Sequence, residues 1–118
     1  MINRCLNKPV VATSGTVFTL IGANAFGVAL FIENTGDTND VNYDIQESTE
    51  NVDGSFSTIS DDANANGTLG PGDVVLIRTM SSLPYIRMIA DSAGGSDVKI
   101  GITQWEKNIS DVLPILNI

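Results

Sequence analysis

The most regular pattern of apolar and polar positions lies between residues 26 and 48. The run VALFI at 28–32 is unbroken, the length of a strand buried on both faces or at the centre of a sandwich. Eight residues of turn chemistry follow, Glu33-Asn34-Thr35-Gly36-Asp37-Thr38-Asn39-Asp40. Asn and Asp tolerate left-handed backbone, and Gly36 accepts a positive φ. Val41, Tyr43 and Ile45 then alternate with Asn42, Asp44 and Gln46. That period of 2 puts one set in a core and the other in water. The stretch reads as strand, turn, strand.

The same grammar runs in both directions. Residues 10–13 and 16–20 predict one or two short strands around Ser14-Gly15, and Gly22-Ala23-Asn24 turns the chain into the central strand. After the strand at 40–48, Asp53-Gly54 signals a hairpin into a short strand holding Phe56 and Thr58. The segment 60–72 (SDDANANGTLGPG) is the longest irregular one, with turn signals at Asn66-Gly67 and Gly70-Pro71-Gly72. DVVLIRTM at 73–80 reads as another buried strand. Over 83–91, Tyr85, Arg87 and Ile89 alternate with Ile86, Met88 and Ala90; Val98, Ile100 and Ile102 later alternate with Lys99, Gly101 and Thr103. A helix over 17–30 is opposed by Gly22 and Gly27 among β-branched neighbours. About seven or eight short strands with regular turn signals predict an all-β fold, an antiparallel β-sandwich of jelly-roll or Ig-like type.

Three parts are expected: an extended N-terminal arm at 1–9, the sandwich at 10–106, and an apolar C-terminal tail at 107–118. After the polar Glu106-Lys107-Asn108, the tail holds Ile109, Val112, Leu113, Ile115, Leu116 and Ile118. Pro114 keeps it from being a helix or a central strand. So apolar a segment is a liability in water. It folds back on its own sheet or docks on a neighbouring subunit, and the sequence leaves both open.

Composition narrows the partners. The 118 residues suit one domain, with 42% apolar and 17% charged residues, enough for a core. The formal net charge is −8. No basic residue falls between Pro9 and Ile77, where Glu33, Asp37, Asp40, Asp44, Glu47, Glu50, Asp53, Asp61, Asp62 and Asp73 accumulate. An acidic side of this kind argues against nucleic acid, because nothing there displaces phosphate counterions. The longest apolar-rich stretch, 17–32, is shorter than the ~18 residues of a membrane span. Ser14-Gly15-Thr16 interrupts any would-be signal peptide. The expectation is a soluble, intracellularly made chain.

Catalytic chemistry is poorly provided for. Without histidine there is no Ser-His-Asp or Cys-His arrangement and no histidine zinc site. Cys5 is the only cysteine, so no intrachain disulfide forms. Acids are plentiful but sit in turns or on outward strand positions. A calcium loop starting at Asp40 has donors at Asp40, Asn42 and Asp44 but Ile45 where glycine is needed and Asn51 where the bidentate glutamate belongs. Asp61, Asp62, Asn64 and Asn66 form a looser cluster. No enzyme activity, cofactor or metal is expected. A carbohydrate-binding module is the alternative, with Trp105 and Tyr85 as the candidates for a stacking platform.

Taken in order, Asn34-Thr35-Gly36, Gln46-Glu47-Ser48, Asp53-Gly54-Ser55-Phe56, Gly70-Pro71-Gly72 and Pro84-Tyr85-Ile86-Arg87-Met88-Ile89-Ala90 resemble small virion sandwich proteins of tailed bacteriophages. The resemblance spans about 26–105, without the terminal segments. It implies a capsid decoration (cement) protein on the outer capsid surface. Such a protein binds the major capsid protein across subunits and associates with itself as a dimer or trimer. On that expectation Arg4 and Lys8 lie along an acidic capsid surface, and Val112, Leu113, Ile115, Leu116 and Ile118 pack across a subunit boundary. A tail or fibre subunit of the same virion is a neighbouring reading.

Overall fold

The structure, a computed structural model, describes residues 2–80 and 83–106. Nine strands follow in chain order: β1 (Ile2–Val10), β2 (Gly15–Ile21), β3 (Phe26–Asn34), β4 (Val41–Ser48), β5 (Ser57–Thr58), β6 (Asn66–Leu69), β7 (Val74–Thr79), β8 (Tyr85–Asp91) and β9 (Ser96–Glu106). Single 3-10 turns at Ala23–Ala25 and Asp53–Ser55 are the only helical pieces among the described residues. All pairings are antiparallel. One sheet has the order β1-β9-β3-β7; the other is β2-β8-β4, with β5 and β6 both on the far side of β4.

Counting β5 and β6 as one broken strand, the chain is a long hairpin wrapped on itself. β1 lies with β9, β2 with β8, β3 with β7, and β4 with β5 and β6. Strands entered in succession alternate between the sheets except at the closed end of the hairpin, where β4 and β5–β6 pair within one sheet; this is the jelly-roll connectivity and decides between the two sandwich types expected.

The core follows from the alternation. Val28, Leu30 and Ile32 of β3 are fully buried and register with Gln104, Ile102 and Ile100 of β9. They face Val41, Ile45, Ile86 and Met88 of the other sheet, all at zero exposure. Each such aliphatic side chain contributes about 1.5–3 kcal/mol. The VALFI run is less uniform than it reads: Ala29 and Phe31 point to the outer face and are half-buried. A register shift between Thr16 and Phe18 in β2 aims Phe18 and Leu20 inward.

The nine residues read as an arm form β1 from Ile2 onward, paired with β9 from Ile2↔Gln104 to Val10↔Ser96. The sequence shows no period there because β1 is an edge strand. Arg4 and Lys8 stand opposite Ile102 and Val98, on the core side of the sheet, yet both are exposed. Inward charges and Pro9 on an edge block pairing with another chain. The tail at 107–118 lies outside the described residues, including Val112, Leu113, Ile115, Leu116 and Ile118.

Candidate interaction surfaces

At one end of the sandwich the loops meet on Asn34, which is fully buried. Its amide nitrogen donates to the carbonyls of Asn39 (2.8 Å) and Leu69 (2.9 Å). Its side-chain oxygen accepts from the Gly36 N–H (3.0 Å) and the Ser96 hydroxyl (2.7 Å). Its backbone N–H donates to the Asp73 carbonyl (3.0 Å), and its carbonyl accepts from the Gly72 N–H (2.8 Å). One side chain therefore ties together the β3–β4, β6–β7 and β8–β9 loops. The Asn34-Thr35-Gly36 and Gly70-Pro71-Gly72 motifs turn out to be halves of this hub.

The outer face of the β2-β8-β4 sheet is laced with polar side chains. Asn42 donates to Asp91 (2.9 Å) and accepts from Thr68 (2.7 Å). Asp44 accepts from Gln46 (2.8 Å) and Thr58 (2.8 Å), and Gln46 accepts from the Arg87 Nε (2.9 Å). Arg87 pairs with Asp53 at 2.6 Å and lies 4.0 Å from the Phe56 ring centroid. Asp53 is almost wholly in water, so the ion pair itself adds little. The stacked guanidinium and its fixed fork do more. The Asp53-Gly54-Ser55-Phe56 and Tyr85-Ile86-Arg87 motifs thus clasp each other.

The outer face of the β1-β9-β3-β7 sheet is different. One register row crosses all four strands as Cys5, Gly101, Phe31 and Leu76. The neighbouring rows add Ala29 and Val74. Leu76 is 61% and Val74 48% exposed. Trp105 lies flat on Gly27, its register partner, where any added methyl would overlap the indole. Among the described residues the charges on this face are Glu33 and Lys99, opposite each other, Arg78, and Asp97 at its far end.

The loop acids have structural work. Asp61 accepts from the Thr79 hydroxyl (2.9 Å) and the Met80 N–H (3.0 Å). Asp62 accepts from the Arg78 N–H (2.9 Å) and the Asn64 N–H (2.9 Å). They cap the free edge of β7 rather than converge on a common point. Among the described residues no group of acids or cysteines is disposed to hold a metal ion. Tyr85 and Trp105 project from opposite outer faces and do not share a platform. A groove of about 360 Å³ opens beside Arg4, lined by Leu20, Ile21, Phe26 and Gln104. It holds no second ionisable group. Burial, with a smaller contribution from Asp62, raises the pKa of Tyr43 above 10.0; its hydroxyl donates to the Asn64 carbonyl at 2.7 Å. No described helix is long and apolar enough to cross a membrane.

These features define an antiparallel jelly-roll whose distinctive parts are surfaces, one laced and one bare. No protein-family profile and no curated protein matches the chain. Among solved structures it is similar to one of Bacillus endospore appendages, described as a novel family of disulfide-linked pili. The TM-score is 0.61 at 9% identity, over 91% of this chain and 87% of that one. It is also similar to the crystal structure of PirA, with a TM-score of 0.53 at 13% identity, over 86% of this chain and 93% of that one. At such identities the likeness is one of fold.

Proposed function

We propose that the chain is a non-enzymatic structural subunit that acts by associating with copies of itself and with the surface it covers. The observation that carries this is the bare outer face of the β1-β9-β3-β7 sheet, where Leu76 and Val74 stand in water around Phe31. Exposed contiguous apolar area of this kind marks contact surfaces. The fold shared with an appendage pilus subunit supports a role in a surface assembly. The assembly differs in one respect from disulfide-linked pili. With Cys5 alone, a covalent link joins two copies and stops, so any longer array is held by non-covalent contacts.

The finer reading is a capsid decoration protein that binds the major capsid protein on the outer surface of a virion. The resemblance between 26 and 105 supports it, and so does the absence of any need for chemistry in such a role. Light scattering on the purified chain tests the broad reading: a mass of two or more copies is expected, and a monomer at all concentrations overturns it. Co-sedimentation with heads built from the major capsid protein of its own source tests the finer one. Binding is expected, and free protein left in the supernatant overturns it.

A further inference from the structure

We propose that the groove beside Arg4, between the edge strands β1 and β2, is a binding site for a small amphipathic carboxylate, a molecule with an anionic head and an aliphatic or aromatic body. The site is separate from self-association and does not depend on it.

The groove follows from register. Arg4 stands opposite Ile102, Gln104 opposite Val28, and Phe26 opposite Glu106. Ile102 and Val28 are core residues, at 2% and 0% exposure, which fixes the side of the sheet. Arg4, Gln104 and Phe26 therefore form one diagonal across β1, β9 and β3, two residues further along at each strand, all on the inward side. Neighbours on such a diagonal stand about 7–8 Å apart, within reach of long side chains. The buried Leu20 of β2 lines the groove from the other sheet, and Thr19 and Ile21 complete it. The space of about 360 Å³ is that of a small-molecule site.

Two polar groups in this groove are unspent. Gln104 is 4% exposed, yet among the described residues nothing hydrogen-bonds its carboxamide. Asn34, Ser48 and Thr79, buried to the same degree, each have partners. A buried amide without a partner costs stability until something bonds to it. Arg4 is exposed, and among the described residues no carboxylate lies within ion-pairing distance of it.

Together these groups specify the ligand. A carboxylate between them takes the guanidinium fork of Arg4 and an N–H of Gln104, both charge-assisted. Its body then lies along Phe26, Leu20 and Ile21, the last of which is 73% exposed. An inorganic anion leaves those apolar walls uncovered. A neutral molecule leaves the Arg4 charge uncompensated.

The test uses the full chain and hexanoate as the probe, with hexanamide as its neutral counterpart. The side-chain amide signals of Gln104 in an NMR spectrum are assigned by their loss in Gln104→Met. Titration to about 50 mM should move them along a saturable curve with a millimolar dissociation constant. Hexanamide, and hexanoate with Arg4→Gln, should bind about tenfold more weakly. Gln104→Met should also raise the melting temperature, because it replaces an unbonded buried amide with an apolar chain of similar volume. Amide signals that stay still, or that move equally with hexanamide, leave a merely hydrated groove and overturn the site. Undiminished binding by Arg4→Gln overturns the carboxylate assignment. A lower melting temperature for Gln104→Met shows the amide to be bonded already and overturns the proposal without any ligand. None of these readouts depends on the mass in solution, so a failure here leaves the self-association reading standing.

Discussion

The two outer faces of this sandwich are built from strands of similar length and solve the same problem in opposite ways. On the β2-β8-β4 face, most outward polar side chains hydrogen-bond one another, from Thr68 through Asn42 to Asp91 and from Thr58 through Asp44 and Gln46 to Arg87, and the exposed apolar Ile21 stands at its β2 margin. On the β1-β9-β3-β7 face, the central row is Cys5, Gly101, Phe31 and Leu76, with nothing to lace. A face whose polar groups are already paired has little left to offer a partner. A face whose central row carries no laced polar pair and leaves Leu76 exposed gains by being covered. The difference teaches which side of the molecule is finished and which awaits contact.

Substitutions should rank by how many hydrogen bonds they cut, and this ranking can break the comparison. Asn34, at the rim where both sheets hand over to loops, sets the upper end. Asn34→Asp removes both donated bonds and turns a carboxylate toward the carbonyls of Asn39 and Leu69. A loss of about 3 kcal/mol is expected in urea unfolding. Arg87→Ala unclasps Asp53, Gln46 and Phe56 together and should cost about 1–2 kcal/mol, only partly recovered by Arg87→Lys, which lacks the planar fork. Tyr43→Phe should cost about 1 kcal/mol at neutral pH. It also sharpens a pH signature. Because the folded state raises the Tyr43 pKa, the protonated phenol is the stabilised form. That contribution is complete below pH 10 and lost as pH rises through the folded value, so the native protein should lose stability there while Tyr43→Phe loses less. Smallest of all, Leu76→Glu on the bare face should change the unfolding free energy by less than about 0.5 kcal/mol while altering the mass in solution. A large loss from Leu76→Glu, or none from Arg87→Ala, would erase the distinction between the faces.

Much of this was legible beforehand, and the failures have physical causes. The alternation in Val41, Tyr43 and Ile45, and again in Ile86, Met88 and Ala90, marks inward positions that are buried. The turn at 34–40 reads correctly as a turn, but nothing in the order Asn-Thr-Gly says that Asn34 reaches Leu69 and Ser96 across the fold. The first nine residues read as an arm because an edge strand with one neighbour and little cover shows no hydrophobic period. Asp61 and Asp62 read as an oxygen-rich cluster, since composition does not distinguish a ligand set from two caps on a strand edge. For the same reason the motifs that carry the bacteriophage resemblance report on loops and clasps. The bare face escaped notice altogether: Phe31 and Leu76 lie 45 positions apart and sit within runs that look uniformly buried.

One consequence of the wrapped hairpin concerns time. Among the described residues β1 pairs with β9 alone, and β9 ends at Glu106. A ribosome must therefore deliver the chain through residues 96–106 before β1 can find its place. Topologies dominated by such distant pairings mature in milliseconds to seconds. For that interval the greasy 28–32 stretch stands without its β9 and β7 neighbours, so a newborn chain depends on dilution or a chaperone to stay out of aggregates.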